Sequence, residues 1–384
     1  MRSVRTAAVL AALLLTPLAL PGQKIPKRPR MDASSDTNSA QAYYDLGLLR
    51  LQGGASQAKD AFYWSARLDP RNGSAYIARR IAWFVESPER FFRFAENPRW
   101  FSKDAEVQEM DSLVMKAMLR DPFSPPRLYP LLMRMIRREA FSAGVNMMPN
   151  KMDPSEVAWY ALLDGDYPTA SVNYAKVEKK YPKSPYPRVQ RANALFYLGQ
   201  FDSTAAELAE AVKLMAVQEE KKVVLVYESK AMYEYLAGYA LLSGNDLSGA
   251  KAAFQRAAAE DMSFYMAHAR LAAIAHQEQD TATALSEYET AVQLRGDDPI
   301  LRFDYARLLM EIGRYDDAKV ELTKAAEAEP LYAPTHLLRA ILAETDGDSA
   351  AAKEHYARYV ALAPRSDPPL AKAKVRLAEL GGSR

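Results

Sequence analysis

The sequence has no cysteine among its 384 residues, and only four histidines. Without a thiol there can be no disulfide framework, thiolate metal site or cysteine nucleophile. His268 and His276 stand eight residues apart. At about 1.5 Å of helical rise per residue, that is too far for one metal ion. No HExxH occurs, nor any GxSxG elbow or GxxxxGK[ST] phosphate loop. Charge of one sign is also lacking. Lys and Arg total 50 against 48 Asp and Glu, a net of +2, whereas a chain dedicated to gripping nucleic acid carries a clear basic excess. Gly and Pro, at 16 and 23, are too few for a collagen-like or low-complexity chain. These absences argue against catalysis, metal and cofactor. What is present is apolar content, 49% of residues, enough to bury a core.

The longest apolar run, Ala7 to Leu20, follows Arg2 and Arg5 and is broken at Thr16 and Pro17. It falls short of the roughly 20 residues that a membrane span requires. The layout is that of a signal peptide, expected over residues 1–22 with cleavage after Gly22; an uncleaved N-terminal anchor is the alternative. An exported chain without thiols suits an oxidising compartment, so the expected location is periplasmic or envelope-associated. Residues 23–39, KIPKRPRMDASSDTNSA, show no periodicity and read as a flexible linker. Lys24, Lys27, Arg28 and Arg30 in it offer a weaker expectation of peripheral contact with anionic lipid.

From residue 151 the chain repeats every 34 residues. Starts fall at Lys151 and Pro185, then at Ala231, Tyr265, Pro299 and Ala333, with one interval of 46 whose excess lies around Gln218 to Lys230. The unit from Ala231 has Ala237, Gly238, Leu241, Ala250, Phe254 and Ala257; that from Pro299 has Tyr305, Ala306, Leu309, Gly313, Tyr315, Ala318, Leu322, Ala325 and Pro330. Small residues let two helices approach, and large ones fill the space between crossings. Gly165, Gly199, Asn245, Gly313 and Gly347 stand where the chain must turn. Asp153-Pro154-Ser155-Glu156 supplies an N-cap, a proline at N1 and an acid at N3. In period and residue types the six units over 151–366 resemble the tetratricopeptide repeat. That resemblance implies an all-α, right-handed superhelical solenoid of antiparallel helix pairs.

Tyr43, Leu46, Gly47, Ala58, Phe62 and Pro70 fit one further repeat over 40–73. Residues 74–150 break the pattern. They are helical by periodicity, with Val107, Met110, Leu113, Val114, Ala117 and Met118 on one face, and rich in aromatics, including Phe91, Phe92, Phe94, Trp100 and Phe101. The cluster Asp121-Pro-Phe-Ser-Pro-Pro interrupts them. Divergent helix pairs are expected there, because the apolar faces require burial; an insertion is the alternative. Eight of the 15 Met fall at 110–152, but helical spacing makes them gap-fillers before it makes them a copper site. Residues 367–384 read as a capping helix and tail, with Leu370, Val375, Leu377 and Leu380 covering the last repeat.

The resemblance places a binding groove on the first helix of each repeat. Its residues here include Trp159, Tyr186, Asn193, Phe196, Tyr235, Tyr239, Phe303, Arg307 and Met310. They are aromatic and Met-rich, the types enriched in interface cores. The family's carboxylate-clamp version needs a Lys where Val189 stands. The expected function is a non-catalytic scaffold or adaptor in the cell envelope, holding a peptide or helix with apolar anchors. Self-assembly into homo-oligomers is the second expectation, and an enzyme or metal carrier built on 74–150 a remote third.

Overall fold

A computed structural model of the chain describes residues 25–53, 57–87, 105–124, 127–131, 133–134, 137, 152–219 and 229–382. The expected signal peptide, the aromatics at 91–101 and Met147 and Met148 lie outside the described residues, as does most of the expected excess around 218–230.

The described residues are all-α, with no strand among them. Twelve helices form six hairpins: α5 (Pro154–Asp164) with α6 (Tyr167–Lys180), α7 (Tyr186–Tyr197) with α8 (Phe201–Glu219), α9 (Lys230–Ser243) with α10 (Leu247–Glu260), α11 (Tyr265–Gln277) with α12 (Thr281–Leu294), α13 (Pro299–Glu311) with α14 (Tyr315–Ala328), and α15 (Ala333–Thr345) with α16 (Ser349–Leu362). Each hairpin is closed by local chemistry. Gly165, Gly199, Gly313 and Gly347 take positive φ of 70–79° at the turns, as do Asn245 at 65° and Gln279 at 63°. Gln279 carries no sequence signal for that geometry. The side chains of Asp166, Asp246, Asp280 and Asp348 then cap the N-termini of the second helices. The capping box at α5 forms in full, with Asp153 accepting from Ser155 and Glu156 and Glu156 reaching back to the Asp153 amide.

Packing inside a hairpin depends on one close approach. A Cβ on Gly238 would lie 2.7 Å from the ring of Phe254, which is fully buried. The same contact recurs upstream. Helices α1 (Ala40–Gly53) and α2 (Ala58–Leu68) pair with Gly47 against Phe62, where a Cβ would meet the ring at 2.5 Å. Helices α3 (Gly73–Val85) and α4 (Ala105–Arg120) pack as a further pair, Gly73 lying against the backbone of Ala117. Helix α17 (Leu370–Gly382) closes the C-terminal end. Leu370, Leu377 and Leu380 join that core as expected, but Val375 is 57% exposed and Ala373 is buried in its place.

The N-terminal half does not continue the stack. It folds back along the array in reverse order. Near the C-terminal end, the Arg365 amide donates to Asp36 at 2.5 Å and Asn38 Nδ2 to the Ala361 carbonyl at 2.8 Å. Further in, Arg67 pairs with Glu329 at 2.7 Å and Arg71 with Asp304 at 2.6 Å. Then Lys116 meets Asp297 at 2.6 Å, and Arg120 meets Asp298. At the N-terminal end, Arg137 pairs with Asp164 at 2.8 Å. The stretch expected as a flexible linker is packed where it is described. Trp64 Nε1 donates to the Pro26 carbonyl at 3.0 Å, Arg28 lies over the Trp64 ring at 4.5 Å, and Met31 packs beside Tyr43 and Leu68. Hydrogen bonds to single backbone atoms hold it, and these leave no periodicity in a sequence.

Candidate interaction groove

The first helices of the hairpins form one face, and the N-terminal half lies on it. The most specific contacts gather at the end of α4. The last carbonyls of a helix have no partner within it. Here the array supplies them: the Tyr235 hydroxyl donates to the Leu119 carbonyl and Arg270 Nη2 to the Arg120 carbonyl at 2.7 Å. Just beyond the helix, the Tyr197 hydroxyl donates to the Phe123 carbonyl. A guanidinium at a helix C-terminus also meets the negative end of the helix dipole. The Phe123 ring is fully buried, stacked 3.8 Å from Phe196 with 2° between the planes, and 6.1 Å from Tyr239.

Charge fixes the register. Asp298 caps α13, accepting from the Ile300 and Leu301 amides at 3.0 and 3.2 Å. Its side chain is 1% exposed and that of Arg120 is 11%. Burial works against the Arg120 charge, yet Asp298 holds its pKa above the ordinary value. Burial raises the Glu329 carboxyl despite Arg67, and raises Asp121 despite Arg127 and a hydrogen bond from Tyr239. Burial also pushes the Tyr239 hydroxyl up to about 12. Among these pairs the buried one dominates. Removing one partner of a buried pair costs about 3–5 kcal/mol, whereas a half-exposed pair such as Arg71–Asp304 contributes at most about 1 kcal/mol.

The nine residues expected in the groove separate into covered and open groups. Tyr235 is fully buried between Phe254 and Phe264. Phe303 is buried against Tyr332, with Arg71 5.6 Å above its ring. Phe196 and Tyr239 hold Phe123, as above. Met310 packs partly into the array core. These residues are engaged by the chain itself, so they do not form an open groove. At the other extreme, Trp159 is 40% and Tyr186 55% exposed. Tyr186 edges a cleft of about 780 Å³ with Tyr181 and Met215. Asn193 is half-buried, and Arg307 is exposed, its guanidinium 3.9 Å from Glu311. Sequence reasoning missed Arg71, Arg120, Phe123, Arg270, Asp298 and Asp304. Phe123 stood in a proline cluster that looked only like an interruption. Asp298 before Pro299 could have been found as a cap, although not as the partner of Arg120.

Among the described residues no three His, Asp or Glu side chains converge on a metal-sized site. No helix among them is long and apolar enough to cross a membrane.

The fold and its occupied face define a class: an all-α solenoid of stacked helical hairpins, with a protein segment seated on the first helices. Residues 275–342, running from the end of α11 into α15, match the tetratricopeptide-repeat family model. A search of curated proteins finds no match. Similar solved structures include YrrB, described as a TPR protein with an unusual peptide-binding site, at 20% identity, covering 53% of this chain and 98% of that one with a TM-score of 0.42. PilW, described as a widely conserved type IV pilus biogenesis factor, is 20% identical over 58% of this chain and 96% of its own, with a TM-score of 0.43. Pseudomonas aeruginosa pilF is 17% identical over 60% and 96%, with a TM-score of 0.44.

Proposed function

We propose that the chain is a non-catalytic adaptor of the cell envelope whose inner face recognises the C-terminal end of a helix followed by an aromatic residue. The observation that carries this reading is the seat of α4. Three donors, Tyr197, Tyr235 and Arg270, take backbone carbonyls, and Phe196 and Tyr239 take one aromatic ring. An outside segment of the same chemistry would replace the resident one, so capture is limited by how firmly α4 is docked. The envelope location rests on residues 1–22 alone.

The test compares capture from envelope extract by the full chain and by Phe123→Ser, which empties the aromatic slot. The variant is expected to retain a partner that the parent holds weakly, and adding Phe196→Ser and Tyr239→Ser should abolish it. Equal capture by all three chains would refute the reading. A second reading, self-assembly, draws on the same seat: a second copy carries the same α4 end and could exchange it. An increased mass of the Phe123→Ser chain would favour that reading.

A further inference from the structure

Beside the docked α4 end the two halves leave a half-open cavity of about 380 Å³, at the small end of the roughly 300–1,000 Å³ range of ligand pockets. Arg71, Arg120 and Asp121 line it from the N-terminal half; Arg270, Asp298 and Asp304 line it from the array. Its lining carries three arginines and three aspartates, but the ion pairs pass Arg270 over, because Asp121 pairs with Arg127 outside the lining. Arg71 is matched by Asp304, Arg120 by Asp298, and Asp121 by Arg127 at 3.6 Å. Arg270 has no carboxylate within 4 Å among the described residues. Its Nε and Nη2 donate to neutral oxygens, the Tyr235 hydroxyl and the Arg120 carbonyl, while Nη1 makes no hydrogen bond with a described residue. Arg270 is half-buried, with its guanidinium 5.3 Å from the Tyr239 ring, and its Nη1 is left as a partly desolvated donor that an anion would satisfy. The Tyr288 hydroxyl also lines the cavity and has no hydrogen bond to a described residue. Between these donors the wall is apolar: Met266, Ala269, Ile300 and Leu301.

We infer that this cavity is a binding site for a small monocarboxylate, its carboxylate on Arg270 Nη1 and the Tyr288 hydroxyl and its short apolar body on Met266, Ala269 and Ile300. A planar, bidentate donor such as guanidinium matches a carboxylate in both charge and geometry. Because both halves build the walls, occupancy ties the N-terminal half to the array. The site stands whether or not the inner face also takes an outside protein.

The test is thermal unfolding of the full chain with butyrate, benzoate or phenylacetate, against sodium chloride of equal ionic strength, butylammonium and inorganic phosphate. At about a hundredfold excess over Kd, at least one carboxylate should raise Tm by several degrees. Arg270→Met should remove that shift. Because Arg270 also caps α4, a second variant, Ala269→Leu, fills the wall and keeps the guanidinium; measured against its own ligand-free Tm, it should show no shift. No carboxylate-specific shift in the parent, a shift with phosphate alone, or a shift that survives in both variants would each overturn the assignment.

Discussion

The array and the N-terminal half use the same hairpin, with Gly238 under Phe254 in one and Gly47 under Phe62 in the other. They differ in how their helix ends are satisfied. The array works within its hairpins: Asp side chains cap four of its six second helices, and positive-φ residues close its turns within the same hairpin. The N-terminal half borrows. Asn72 caps α3 locally, but the end of α4 takes its hydrogen-bond donors from residues 74 to 150 positions away. The contrast separates a region specified by local code from one specified by docking.

Two phenylalanines should split that comparison most widely. Phe254→Ala removes a ring fully buried inside the array and should cost about 3–5 kcal/mol, seen as a lower Tm and lost helicity. Phe123→Ala should cost a similar amount, confined to docking. Hydrogen exchange would then show lost protection in α3 and α4 with protection retained in α11 to α14. Uniform loss in both variants would show that the halves form one cooperative unit.

Next in size is the buried pair. Arg120→Met leaves the Asp298 carboxylate uncompensated and should destabilise by about 3 kcal/mol. Adding Asp298→Asn should recover at least half of that in denaturant titrations, because no buried charge then remains. A smaller effect sharpens the local-code side. Gln279 holds φ of 63°, a region that costs a side-chain-bearing residue roughly 1 kcal/mol. Gln279→Gly should therefore stabilise the chain by about 0.5–1 kcal/mol at chemical denaturation.

The smallest expected effect is pH-dependent. Burial lowers the pKa of His336 and His355 below the ordinary 6.5, and the neighbouring Arg339 and Arg358 lower both further, opposed by Glu354 and, at His336, by its hydrogen bond to the Pro330 carbonyl. The native form therefore binds fewer protons than the unfolded one. Stability from these groups is present above about pH 6.5 and falls as pH drops toward their native values. The Tm decrease between about pH 7 and pH 5 should be smaller in His336→Gln/His355→Gln than in the parent.

The array was legible because its determinants repeat. A 34-residue period, the small residues beneath Phe254 and Tyr288, and the turn residues are all local and recur along the six units, the turn signal failing only at Gln279. The seat of α4 occurs once. Nothing in the sequence links Arg120 to Asp298 or Phe123 to Phe196, since those pairs are set by the fold-back and not by spacing. Tyr235 and Phe303 were recognisable as inner-face residues from their repeat positions. That the chain itself would cover them was not recognisable, because residues 74–150 lack the period from which a partner surface could be read. Residues 25–39 show the same limit: composition suggested a tether, whereas Pro26, Asp36 and Asn38 are held through individual hydrogen bonds.

The most direct test of the fold-back uses the absence of cysteine. Ser34→Cys and Ser366→Cys would be the only thiols in the chain, and spin labels on them would report the distance between the start of the N-terminal half and the end of the array. The account predicts a single short distance, unchanged on dilution with unlabelled protein, because Asp36 and Ser34 lie against Arg365. A broad distribution centred at long distance would contradict it, and with it the occupied inner face.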